Sequence, residues 1–257
     1  MSKGEAVSLE RESFSGFIFK IQANMDRRHR DRIAFVRVCS GRFERDMVVT
    51  HSRTGKKVRL SNSSKLFGRD RETVDEAFPG DIVGFVGQQN FGIGDTLAED
   101  ETILYDEIPH FPPEVFANLS NPNPSNFKRF REGLDQLLQE GVVQGLQRIS
   151  SAQRVPLLAA VGPLQFEVVQ YRLESEYGAE SRLEPTEWKI MRWVDPLLDR
   201  EALKQCNLPS GSEIAENAEG QLVILFKGEW ALNYFSEKNP SIKISELPFR
   251  NGSATIG

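Results

Sequence analysis

The chain has only two cysteines, Cys39 and Cys206, far apart and set among apolar or mixed neighbours. They are read as separate buried thiols, because a disulfide is not expected in a chain without an export signal. Met1-Ser2-Lys3-Gly4-Glu5 is followed by no apolar core, so it is not read as a signal peptide. No apolar run approaches the roughly 20 residues that span a bilayer. These absences point to a cytoplasmic protein without a membrane partner. Three histidines, His29, His51 and His110, are too widely spaced to form a ligand set with two lone cysteines. No metal site is expected.

Nucleotide motifs are missing as well. A phosphate loop needs glycines, a lysine and a hydroxyl in order, so that backbone N–H groups wrap the phosphates. Gly55-Lys56-Lys57 has neither the upstream glycine nor the hydroxyl, and no Asn-Lys-x-Asp guanine reader occurs. No Gly-x-Ser-x-Gly elbow is present. Asp26, His29 and Asp31 lie in one polar turn among arginines, which favours a solvated loop over an acid–base set. No catalytic residue and no cofactor is therefore assigned to this chain. No aromatic ladder suited to stacking single-stranded bases is evident either.

What is present is a segregation of charge. The net charge of −5 hides fifteen Lys/Arg against six Asp/Glu in residues 20–72, then ten Asp/Glu and no Lys or Arg in residues 73–126. A basic stretch of this size suits a polyanionic partner, unless folding lays the acidic block over it. The densest part is Met25-Asp26-Arg27-Arg28-His29-Arg30-Asp31-Arg32. Arginines there, at a strand-to-strand loop, could bridge several phosphates.

Short runs rich in Phe, Ile and Val at 14–21, 32–38, 47–50, 58–60, 82–86 and 96–97 alternate with turn signals such as Pro79-Gly80-Asp81. Such a pattern predicts a β-barrel or sandwich over residues 1–107. Pro109, Pro112, Pro113, Pro122 and Pro124 mark residues 108–125 as a stiff linker. Beyond it the period becomes helical. Phe127, Phe130, Leu134, Leu137 and Leu138 share one helix face, capped by Ser125 or Asn126. A strand at 155–161 and a helix opened by Gly162-Pro163 follow, with Phe166, Val169, Leu173 and Tyr177 inward. Further strands are expected at 188–194, 222–226 and 242–244, with helices at 196–205 and 229–238. The fold class is α+β and multidomain: the barrel, then an α/β sandwich at 126–257 with a mixed sheet and helices on one face.

The stretch Phe14-Ser-Gly-Phe-Ile-Phe-Lys20, with Asn24, Asp26 and the run from His29 through Arg32 to Arg37, resembles the second domain of the peptide chain release factor 3 family. Pro79-Gly80-Asp81 and Gly94-Asp95-Thr96-Leu97 resemble barrel turns shared by translational GTPases in general. Gln139-Glu140-Gly141, Gly162-Pro163-Leu164-Gln165-Phe166 and Arg192-Trp193-Val194 resemble the family's third domain. The resemblance covers about residues 12–250.

It implies a GTPase that acts in translation termination, promoting departure of a class I release factor from the ribosome. GTP or GDP with magnesium would bind a GTPase domain whose motifs are not in these residues. That domain, the small ribosomal subunit and its RNA would be partners of a monomeric chain. Within this frame Lys20, Arg27, Arg28, His29, Arg30, Arg32, Arg53, Lys56, Lys57 and Arg59 are the candidate ribosomal RNA contacts. The alternatives are a portion of another ribosomal GTPase such as elongation factor G, or a free-standing RNA-binding module.

Overall fold

The computed structural model describes residues 7–8, 11–23, 32–67, 70–87, 90–105, 111–150 and 155–249. The chain divides into two compact units, one drawn from Met1–Pro109 with Gln139–Gly141, the other from His110–Leu138 with Val142–Gly257.

In the first unit the strands are β1 (Ser15–Ala23), β2 (Arg32–Ser40), β3 (Phe43–Glu44), β4 (Val48–His51) and β5 (Lys56–Arg59). They continue with β6 (Ser63–Phe67), β7 (Asp70–Thr73), β8 (Glu76–Ala77), β9 (Ile82–Val86) and β10 (Thr96–Ala98). Eight of them form an antiparallel sheet in the order β5-β4-β10-β1-β2-β9-β6-β7, and β3 pairs with β8. Side chains alternate across a strand, so Val36 and Val38 of β2 face the same core as Val83 and Phe85 of β9 and Leu97 of β10. The sheet curls round this one cluster, which gives the barrel the sequence predicts. The β3–β8 ribbon contributes Phe43, whose ring meets Phe85 edge-on at 5.4 Å. Glycine suits the turns: Gly55 between β4 and β5 has φ +66° and Gly80 before β9 has φ +100°, where a side chain would be strained.

The second unit corrects the reading of residues 108–125 as linker throughout. Strand β11 (Val115–Ser120) lies inside that stretch and pairs on both sides. The prolines at 113 and 122 bracket it and leave residues 114–121 free to donate every backbone hydrogen bond. A 3₁₀ turn, Pro124–Asn126, follows, and its cap is Asn123 rather than Ser125 or Asn126. A capping side chain must stand just before the first helical residue, and Pro124 occupies that first position.

The chain continues through α1 (Phe127–Gln139), β12 (Gln144–Arg148), β13 (Leu157–Ala160), α2 (Pro163–Tyr177) and β14 (Arg182–Pro185). A second series follows: β15 (Ile190–Val194), α3 (Arg200–Lys204), β16 (Glu213–Asn217), β17 (Leu222–Phe226), α4 (Glu229–Lys238) and β18 (Ile244–Ser245). Each series is β-α-β-β-α-β. The sheet order β14-β11-β13-β12-β16-β17-β15-β18 places the strands of each in the sequence fourth, first, third, second. The unit is therefore one topology used twice, joined where β12 pairs with β16.

This arrangement overturns the expected mixed sheet. Every pairing described in the unit is antiparallel. A helix between two strands gives parallel neighbours only when those strands lie side by side. Here β13 sits between β11 and β12, and β15 between β17 and β18, so the parallel pairs are split. The last strand also starts two residues later than the expected 242–244, because Ile242 turns into the core.

Helices cover one face of each half. Phe130, Leu134, Leu137, Phe166, Val169 and Leu173 pack on Leu119 and Leu158. In the second half Phe235 and Ala231 pack on Ile224 and Phe226. The alternate residues Phe116, Leu157, Met191, Trp193, Val223 and Leu225 form a further buried cluster from both halves. Strands β13 and β17 are therefore apolar on both faces, which explains the unbroken runs Leu157–Ala160 and Leu222–Phe226. Gln165 fixes the start of α2: its Oε1 accepts from the N–H groups of Val161 and Gly162, and its Nε2 donates to the Val142 carbonyl.

Candidate functional site

The β4–β5 hairpin and the turn before β10 meet at a buried carboxylate. Asp95 is 5% exposed. It accepts from His51 Nε2 at 2.7 Å, from Arg53 Nε at 2.7 Å and Nη2 at 3.0 Å, and from the Gly92 N–H at 2.5 Å. Burial alone would push its pKa up. The Arg53 guanidinium, the Gly92 amide and His51 outweigh that and hold Asp95 below the ordinary aspartate value. His51 is 1% exposed, and its Nδ1 faces Thr54 Oγ1 at 3.0 Å. With Nε2 donating to Asp95, Nδ1 accepts from the threonine hydroxyl. The order hydroxyl, imidazole, carboxylate looks like a proton relay. However, Asp95 is already committed to a guanidinium and an amide, and the three residues close a hairpin turn. The arrangement ties β4, β5 and the turn before β10 into one rigid corner.

Above this corner Arg32, Arg53, Lys56, Lys57 and Arg59 line one open depression. Arg32 donates to the Phe91 carbonyl at 2.6 Å, and burial together with the nearby Arg53 lowers its pKa. Arg53 also donates to the Asn90 carbonyl at 2.7 Å. Lys57 Nζ donates to Thr50 Oγ1 at 2.8 Å and Glu101 Oε1 at 2.9 Å. The lysine, then Thr50, lower the Glu101 pKa. Lys56 and Arg59 are exposed on β5, a sheet edge. Lysine and arginine on an edge strand also discourage pairing with a second chain, so their presence alone does not define a site. Lys20 is not among the lining residues. It sits on β1 with its ammonium 5.6 Å from the Phe35 ring centroid.

The ten residues singled out from the sequence thus separate. Five share the depression and Lys20 stands apart from it. Arg27, Arg28, His29 and Arg30 lie outside the described residues. Folding also lays part of the acidic block over the basic one: Arg53 meets Asp95, Lys57 meets Glu101, Arg45 meets Asp75 and Arg42 meets Glu76. The segregation of charge along the chain is therefore reduced in space. The buried His51–Asp95 pair escapes a reading of the sequence. Its members are 44 residues apart, and the only signal is the Gly94-Asp95-Thr96 turn.

Among the described residues Gly55-Lys56-Lys57 is not built as a phosphate loop. A phosphate loop leads from a strand into a helix N-terminus, whereas Gly55-Lys56-Lys57 leads from β4 straight into β5. Among the described residues no three His, Cys, Asp or Glu side chains are grouped to hold a metal ion, and no helix is long and apolar enough to cross a membrane.

Comparison with known proteins accounts for both units. Residues 13–100 match the family described as elongation factor G domain 2. Residues 105–236 match the family described as class II release factor RF3, C-terminal domain. A Gloeobacter violaceus protein named peptide chain release factor 3 is 53% identical over 236 residues, which is 92% of this chain and 44% of that protein. A Synechococcus elongatus protein of the same name is 51% identical over 244 residues, 95% of this chain and 44% of its own length. The chain thus spans less than half the length of these curated relatives. A crystal structure of a Thermus thermophilus protein aligns with 80% of this chain and 30% of its own at a TM-score of 0.56 and 20% identity, a likeness of fold alone. With the C-terminal-domain match covering just over half of its residues, this chain belongs to the class II release factor 3 family.

Proposed function

We propose that this chain is the ribosome-docking portion of a peptide chain release factor 3, and that the whole factor is a GTPase promoting departure of a class I release factor during translation termination. GTP or GDP with magnesium binds a GTPase domain outside these residues, and that domain is a partner of this chain. The factor works as a monomer in the cytoplasm, docked on the small subunit. The observation that carries the docking role is the convergence of Arg32, Arg53, Lys56, Lys57 and Arg59 on one open depression of a rigid barrel. Cations gathered on one surface release counterions when they meet RNA, and arginine forks suit phosphate oxygens. Asp95 supports this by holding the Arg53 guanidinium in place. Arg27, Arg28, His29, Arg30 and Lys20 are proposed as contacts of the same RNA.

Co-sedimentation with ribosomes over a salt series tests the proposal. Lys56→Glu with Arg59→Glu is expected to weaken association about 10-fold at low salt. It is also expected to flatten the plot of log affinity against log salt by roughly 1.5–2 units, two phosphate contacts being lost. Both side chains are exposed, so the circular dichroism spectrum stays that of the unsubstituted chain. Unaltered binding and slope would remove the depression from the docking surface.

A further inference from the structure

The outward face of α4 carries a feature that its packing does not require. Ala231 and Phe235 turn inward and are buried, while Trp230 is 74% exposed. Trp230, Tyr234 and Lys238 recur at i, i+4 and i+8, one line along the helix surface. The indole and phenol rings are stacked, 5.5 Å apart and 25° from parallel. Lys238 Nζ lies 5.9 Å from the Tyr234 ring centroid. An indole left in water forgoes the stabilisation that burial gives, so α4 gains little from displaying one.

The duplicated topology supplies an internal control. Counted from Gly162 and Gly228, α2 places Leu164, Val168 and Arg172 at the positions of Trp230, Tyr234 and Lys238. The same fold is thus built with aliphatic residues at the two ring positions, so the aromatic rings are not a requirement of the topology.

We propose that the Trp230–Tyr234–Lys238 column is a stacking platform for an unpaired base of RNA. A ring stack that ends in an indole exposed to 74% can be extended by a planar base, which any base can supply. Lys238 at the other end is complementary to the adjoining phosphate. Asn233, exposed beside the column, offers both a donor and an acceptor to a base edge. Glu229 and Glu237 flank the same face, so stacking rather than net charge must supply the attraction. The proposal takes from the barrel reading only the class of partner, RNA, and concerns a different surface.

The test is titration of the chain with a ten-nucleotide single-stranded oligoadenylate, followed by tryptophan emission. Quenching is expected, and Trp230→Leu is expected to abolish it and to weaken binding about 10-fold. Trp230→Phe is expected to restore most of the affinity. A blunt RNA duplex, whose bases are already stacked, is expected to compete poorly. Because Trp230 is exposed, the melting curve of Trp230→Leu matches that of the unsubstituted chain. Lys56→Glu with Arg59→Glu keeps the quenching, so failure of the barrel proposal and failure of this one are separately visible. No quenching with the unsubstituted chain, or equal binding by Trp230→Leu, would overturn the platform. So would loss of ribosome co-sedimentation in Trp230→Leu with oligoadenylate binding intact, which would assign the face to a protein partner.

Discussion

Asp95→Ala is expected to destabilise the first unit by about 3–5 kcal/mol. The substitution removes four hydrogen bonds to a carboxylate, each stronger than a neutral one. It also strands the buried His51 Nε2–H and the Gly92 amide, which costs more than the bonds contributed, because a buried donor without an acceptor loses its full hydration. Urea denaturation followed by circular dichroism at pH 7 measures the difference. The pH dependence has a definite sign. Asp95 is held below its ordinary value of 3.8 in the folded protein, so its contribution is complete above that pH. It is lost as pH falls through the lower folded value. The stability gap between the unsubstituted chain and Asp95→Ala is therefore expected to stay constant from pH 7 down to about 5 and to narrow below 3.8. A gap that widens on acidification would show that the carboxylate is not the group holding the corner together.

Phe235→Ala is expected to cost the second unit about 3–5 kcal/mol. Phe235 is fully buried and its ring lies 5.5 Å from that of Phe226 on β17. Removing it opens a cavity between α4 and the sheet that Ile224 and Ala231 cannot close without moving the helix. Trp230, five residues earlier on the same helix, supplies the contrast: its loss is expected to change stability by no more than about 0.5 kcal/mol. Differential scanning calorimetry of the two variants reads both effects. A large loss from Trp230→Leu would mean that the indole is structural and would withdraw it from any binding role.

How much of the fold is legible in the sequence depends on how much apolar signal each element carries. Val36, Val38, Val83 and Phe85 alternate clearly, and the barrel can be read from them. The Phe166, Val169, Leu173 spacing likewise announces α2 on periodicity alone. Strands β6 and β7 give no such signal, because Ser63–Phe67 and Asp70–Thr73 are mostly polar and are recruited by backbone pairing with β9 and with each other. The same holds for β12 and β16, with sequences QGLQR and EIAEN. The expectation of a mixed sheet fails because helix–strand alternation does not reveal whether another strand is inserted between the two that a helix connects. At the site, sequence places the cations on turns and strands. It cannot show that Arg53 and Lys57 are answered by Asp95 and Glu101 from the acidic block. Trp230, Tyr234 and Lys238 are visible at four-residue spacing, but only the burial of Ala231 and Phe235 reveals which way the column points.

The seam between β12 and β16 has a consequence for the order in which the second unit assembles. Residues 115–185 complete one β-α-β-β-α-β set with its own helices, so a chain emerging from its N-terminal side can condense that half while the other is still being made. Until β16 arrives, β12 is an outermost strand with unsatisfied amides. Gln144, Gln147 and Arg148 make that temporary rim hydrophilic, and Glu213, Glu216 and Asn217 do the same for the second half. The polarity that hides these two central strands from hydrophobic pattern reading is thus the composition that keeps each half-built intermediate from sticking to its neighbours.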